Sequence, residues 1–238
     1  MRKQWLLALT ALAALALLAR PGERQAVPAD GTAELAAETH YIALTFDDGP
    51  RHDTTARLLD GLRQRGASAT FFLVGEQAQA NPELVERMEA EGHQVGNHTW
   101  SHVRLEGASR EAVAEEVART EAFLSQLLGG NGYWLRPPYG LITAGTENQI
   151  TVPMVKWSVD PRDWESRNTA KVVQAVLEAV RPNSIILLHD IYPTSVEAAL
   201  QVVDTLQAQG YVFVTVEELL YLNGVRPQPG VMYRTGKG

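Results

Sequence analysis

Tyr41-Ile42-Ala43-Leu44-Thr45-Phe46-Asp47-Asp48-Gly49-Pro50 is an apolar run that ends in two acids and a turn. Its first six residues suit a buried strand, while Asp-Asp-Gly-Pro is ordinary turn chemistry. Adjacent carboxylates at the exposed end of a buried strand can also hold a metal or move a proton. Which reading applies depends on where the other ionisable groups fall relative to their own strands.

Downstream of this stretch, strand and helix signals alternate. A helix is expected over 54–65, with Leu58, Leu59 and Leu62 on one face and Gly66 as its stop. A strand over 69–74 follows, then a helix opened by Asn81 as cap and Pro82 as first residue and closed at Gly92. Further strands are expected over 94–97, 133–135, 154–159, 184–188 and 212–215. Helices are expected from Ser109 to Gly129, over 169–180, over 194–209 and in a short stretch to Leu222. Residues 225–238 read as an irregular tail. Seven strands alternating with helices imply a parallel α/β array, either an open doubly wound sheet or a barrel. Both architectures place their sites at the carboxyl ends of the strands.

The chemical residues follow that pattern. Asp47 and Asp48 come after the first strand, His98 to His102 after the third and Arg136 to Gly140 after the fourth. Asp160 to Trp164 follow the fifth, and His189-Asp190 follow the sixth. His98 and His102, four apart, would face the same way in a helical turn. With Asp48 they make a facial set of two imidazoles and one carboxylate, which points to zinc or a similar transition metal rather than magnesium.

Composition bounds the rest. The 238 residues, 45% hydrophobic and 21% charged, suit one globular domain. Without the first 29 residues the chain has 17 basic and 27 acidic residues, an unsuitable balance for nucleic acid. The lack of cysteine excludes thiolate metal sites, disulfides and a cysteine nucleophile. Arg2 and Lys3 precede an apolar run over 5–19, shorter than the ~20 residues of a comfortable membrane span, so 1–29 reads as a secretory signal or, if retained, an N-terminal membrane anchor. Residues 30–40 read as a linker, 41–224 as the globular domain and 225–238 as the tail.

Five ordered motifs, T-F-D-D-G, H-T-W-S-H, R-P-P-Y-G, D-x-x-D-W and L-L-H-D, resemble those of the polysaccharide deacetylase family, the NodB-homology or carbohydrate esterase family 4 domain. The likeness covers roughly 41–222. It implies a distorted (β/α) barrel of about seven parallel strands and a metal-dependent hydrolase. By that resemblance Asp48, His98 and His102 bind the metal, and Asp47 is the general base. Arg136 pairs with Asp47, His189 is the general acid, and Asp163 tunes His189. Trp164 and Leu187 wall the acetyl pocket, and the Tyr139 backbone N–H helps hold the oxyanion.

The expected reaction is N-deacetylation of an N-acetylglucosamine-type glycan, peptidoglycan or chitin oligosaccharide, by an exported monomer that uses Zn2+ or a similar ion such as Co2+. The alternatives are an O-acetyl esterase on acetylxylan and an inactive glycan-binding domain. A phosphohydrolase is disfavoured, because no glycine-rich cradle accompanies the acids. His40, His52 and His93 fall outside the motifs and read as surface or loop residues, and Asp190 reads as making local backbone or rim contacts. Trp100 and Tyr192 are candidates for stacking on a sugar, and Trp134 for the core.

Overall fold

Side chains of β1 (His40–Asp47) alternate between two environments, as the period of a strand requires. The computed structural model describes residues 39–238. The expected targeting segment and most of the linker lie outside the described residues. Ile42, Leu44 and Phe46 point into a large apolar layer, while Ala43 belongs to a second cluster and Thr45 and Asp47 are buried polar groups.

β1 is the hub of the sheet. It pairs in parallel with β6 (Tyr211–Val214) along its first half and with β2 (Thr70–Leu73) along its second. It also pairs with β5 (Ile185–His189), in a register that sets Thr45 against Leu187 and Asp47 against His189. β3 (Gln94–Asn97) pairs with β2. Isolated bridges then lead from Asn97 to Leu135, from Leu135 to Met154 in β4 (Met154–Val155), and from Val159 back to Ile186. The result is an α/β fold whose parallel strands form a distorted barrel.

The outer layer packs Phe71, Leu73, Ile186 and Leu188 against helices. These are α1 (His52–Arg65), α3 (Pro82–Ala90), α6 (Thr169–Ala179) and α7 (Pro193–Ala208), which contribute Leu58, Leu62, Met88, Val176, Val203 and Leu206. Burying each such side chain stabilises the fold by roughly 1.5–3 kcal/mol. The inner cluster joins Ala43, Phe72, Ile185, Val155 and Trp134 to Leu219 and Leu220 of α8 (Val216–Leu222). Ser109 caps α4 (Arg110–Leu128) by accepting from the Ala112 N–H, and Gly66 and Gly129 end α1 and α4 in the left-handed region.

Several expectations need correction. Tyr133 to Leu135 forms only bridges, because Leu135 is the one residue there that meets both neighbours. Helix α2 (Gly75–Ala80) precedes α3, and the side-chain oxygen of Asn81 between them accepts no cap hydrogen bond from α3, while its Nδ2 donates to the carbonyls of Pro50 and Gln77. The stretch read as an irregular tail carries β7 (Met232–Tyr233), which pairs with β4 and buries Tyr233 in the inner cluster. His93 is buried rather than exposed. It accepts from the Ala69 N–H, and burial pushes its pKa down to about 4. No helix among the described residues is long and apolar enough to cross a membrane.

Candidate active site at the strand carboxyl ends

Asp47 and His189 are cross-strand partners at the ends of β1 and β5, so the pleat directs both side chains to one face. They line a cavity of about 400 Å³ together with Asp48, His98, His102, Tyr139, Trp157, Asp160, Trp164, Leu187 and Tyr192. Arg136 and Asp163 lie behind its wall, each fully buried.

Arg136 holds two neighbours in place. Its guanidinium donates to Asp47 Oδ1 at 2.7 Å, Thr45 Oγ1 at 2.8 Å and the Lys156 carbonyl at 3.0 Å, and it lies 4.1 Å from the Phe72 ring centroid. Burial lowers the Arg136 pKa, and the Asp47 carboxylate opposes that shift. The Arg136 carbonyl accepts from His98 Nδ1 at 2.6 Å. A carbonyl can only accept, so Nδ1 carries the proton and Nε2 presents a lone pair.

That nitrogen lies between the two acids, 3.6 Å from Asp47 Oδ2. His98 Nε2 lies 3.5 Å and His102 Nε2 3.2 Å from Asp48 Oδ1, an oxygen that is buried without a hydrogen-bond partner among the described residues. One donor atom from each residue lies within 4.8 Å of the others. Burial would raise Asp48, but the two imidazoles outweigh it and bring its pKa down to about 2. Burial and the neighbouring His98 lower His102, which favours the neutral ring a ligand requires. Two nitrogens and one unsatisfied carboxylate oxygen fit a divalent metal.

His189 is bound twice by one carboxylate. Its Nδ1–H donates to Asp163 Oδ1 and its backbone N–H to Asp163 Oδ2, both at 2.8 Å. Burial alone would lower His189, but the Asp163 hydrogen bond and charge prevail and raise its pKa to about 9. Leu187 is buried beneath the cavity and Trp164 is partly exposed at its rim. No acceptor among the described residues takes the Tyr139 backbone N–H.

The loop geometry differs from the expected helical turn at 98–102. His98 and His102 converge through left-handed backbone at Thr99 (φ 68°) and His102 (φ 59°). Asp48, Tyr139 and Arg162 are also left-handed, so non-glycine residues in an uncommon conformation gather around one cavity. Asp190 is not a rim residue. It is fully buried, accepts from Thr55 Oγ1 and lies against Gly49, and burial raises its pKa to about 7. Its position beside His189 was the only signal in the sequence. Trp157 and Asp160 also line the cavity, Asp160 while accepting from the Arg162 N–H. Trp100 is buried against Gly75 and Phe123, with Arg119 over its ring, and does not face the cavity.

Residues 35–152 match the polysaccharide deacetylase family model. A chitooligosaccharide deacetylase of Bradyrhizobium is 41% identical over 67% of this chain and 74% of its own length. The chain belongs to the polysaccharide deacetylase family. Another relative is the peptidoglycan-N-acetylglucosamine deacetylase PgdA of Listeria monocytogenes, 38% identical over 81% of this chain. The chain spans 41% of that relative's length. Among solved structures, a family 4 acetyl xylan esterase from Clostridium thermocellum, in complex with a cobalt ion, superposes with a TM-score of 0.78. It is 34% identical over 82% of this chain and 98% of that one. Polysaccharide deacetylases of this family are metal-dependent, in keeping with the donor set at Asp48, His98 and His102.

A β-carbon added at Gly49 would overlap the Asp190 carboxylate. Gly49→Ala is therefore expected to displace the turn that carries Asp48 and to weaken metal binding at least ~10-fold with the fold retained. Metal titration alongside circular dichroism checks this.

Proposed function

We propose that this chain is a hydrolase of the cell envelope or its exterior that removes N-acetyl groups from N-acetylglucosamine-type glycans, releasing acetate and leaving a free amine. Peptidoglycan is the leading polymer and chitin oligosaccharide the next. The carrying observation is the cross-strand pair Asp47 and His189, each held by its own oppositely charged partner inside one cavity. The relatives named as peptidoglycan and chitooligosaccharide deacetylases support the substrate class.

A carboxylate base beside a cation and an imidazole acid beside an anion hold opposite protonation states at one pH. Asp48, His98 and His102 would bind the metal, zinc by donor chemistry, and the metal would supply Lewis-acid polarisation and acidify a water whose free pKa is ~15.7. Asp47 takes a proton from the attacking water, with Arg136 fixing the orientation of its carboxylate. The Tyr139 N–H donates to the carbonyl oxygen as it gains charge, a contribution of ~3–4 kcal/mol for a donor of this kind. His189 delivers the Nε2 proton to the departing nitrogen, without which the intermediate reverts. Asp163 keeps that imidazole protonated and oriented, while Leu187 and Trp164 enclose the acetyl methyl.

Acetate release from N-acetylglucosamine oligomers and from acetylxylan tests the reaction. Turnover of the oligomers is expected, and activity confined to the ester would overturn the amidase reading.

The general acid must be protonated to act, so kcat/KM should fall as pH rises through the His189 pKa, placed at about 9 by Asp163. A bound divalent cation would draw this limb lower in all variants alike. Asp163→Asn removes the charge that raises His189 and should move the falling limb down by at least ~1 pH unit. A pH–rate profile of the two proteins reads this directly.

A further inference from the structure

Beyond Tyr192 the catalytic cavity is followed by a second groove of about 320 Å³, lined by Arg51, His52, Asp53, Thr54, Ile191 and Tyr192. Tyr192 is thus a shared wall of the two. The groove lies between the first turns of α1 and α7, neither of which has a side-chain cap.

Charge is distributed unevenly here. Some surface arginines are matched to carboxylates, as Arg57 is to Glu197, Arg65 to Asp204 and Arg87 to Asp60 and Glu91. Arg51 and Arg167 have no carboxylate partner among the described residues. Arg51 is exposed. Arg167 lies 4.5 Å from the Tyr192 ring centroid, and its Nε donates to the Trp164 carbonyl at 3.3 Å. That contact orients the guanidinium over the aromatic face while its terminal nitrogens stay free. Asp53, the carboxylate lining the groove, is engaged by His52 at 2.8 Å. In a chain of net charge −7, one guanidinium without a carboxylate partner lines this groove and another lies over the Tyr192 ring that closes it.

We infer that this groove binds a carboxylate carried by the sugar next to the one that is deacetylated, with Arg51 and Arg167 holding the anion and Tyr192 meeting the sugar face. The inference rests on the deacetylase reading and narrows its substrate to an acidic glycan, in which a neighbouring unit bears a lactyl or peptidyl carboxylate. A guanidinium matches a carboxylate in a bidentate, charge-assisted geometry, so the pair discriminates an acidic strand from a neutral homopolymer. Such discrimination is screened by salt, because the groove is open to solvent.

The test compares wild type with the Arg51→Gln/Arg167→Gln double variant on soluble peptidoglycan fragments and on chitooligosaccharides of equal length. The double variant should lose on the order of tenfold more kcat/KM on the acidic fragments than on the neutral ones, through KM rather than kcat. The wild-type preference for acidic fragments should shrink as salt rises. Equal losses on both substrates, or no loss, would overturn the inference. Wild type inactive on both would instead overturn the deacetylase reading. Equilibrium binding of the same fragments then still decides the groove: tighter binding of the acidic fragment that is lost in the double variant upholds it, and equal binding defeats it.

Discussion

One residue ties the two halves of this site together. The Arg136 guanidinium, sealed from solvent, grips Asp47 through a 2.7 Å contact, and the Arg136 carbonyl fixes the ring of His98 through a 2.6 Å contact. A buried guanidinium without a counter-ion is unfavourable by several kcal/mol, so the barrel core itself enforces the pairing with Asp47. Thr45, two residues earlier on the same face of β1, and the carbonyls of Val155 and Lys156 accept from its other nitrogens. The strand period then places Asp47 beside His189, and the turn that follows places Asp48 beside His98 and His102. Proposed base, proposed acid and donor triad are consequently positioned by one strand and one buried cation.

The cost of this arrangement is carried by the loops. Asp48, Thr99, His102, Tyr139 and Arg162 all have positive φ, which L side chains seldom adopt, and all belong to the loops that bring the cavity together. Behind them, buried groups fix the geometry: Asp190 under the Gly49 turn, and Asp163 clamping both the ring and the backbone of His189. The rim is a different environment, with exposed Tyr139 and Trp164 and with Arg167 over the Tyr192 ring. Chemistry and substrate selection are thereby separable, since the buried groups set protonation and the rim groups meet the polymer.

Much of this was legible in the sequence because its signals are local. Each chemical motif directly follows an apolar run, and the rule that sites gather at the carboxyl ends of parallel strands placed Asp47, Asp48, His98, His102 and His189 at one cavity, with Arg136 and Asp163 bonded to them from behind. Helix ends marked by Ser109, Gly66 and Gly129 were equally readable. What escaped depends on contacts distant in the chain. The strand expected over 154–159 is only two residues long as β4, and β7, also two residues, exists through pairing with it and has no periodicity to detect. Asn81 has the composition of a cap but spends its amide on carbonyls brought up by folding, and His93 and Asp190 are buried by neighbours remote in sequence. The convergence of His98 and His102 looked helical by spacing, whereas left-handed backbone at Thr99 and His102 produces it.

The division of labour between two adjacent carboxylates is the central claim. Asp47 binds a buried arginine through one oxygen and has one imidazole at 3.6 Å, whereas Asp48 faces two imidazoles with an unsatisfied oxygen. Metal affinity by calorimetry, measured with turnover in Asp47→Asn and Asp48→Asn, tests it most directly. Asp47→Asn should retain metal affinity and lose turnover ~100-fold or more, while Asp48→Asn should lose the metal itself. Equal loss of metal in both variants, or sustained turnover in Asp47→Asn, would contradict the division.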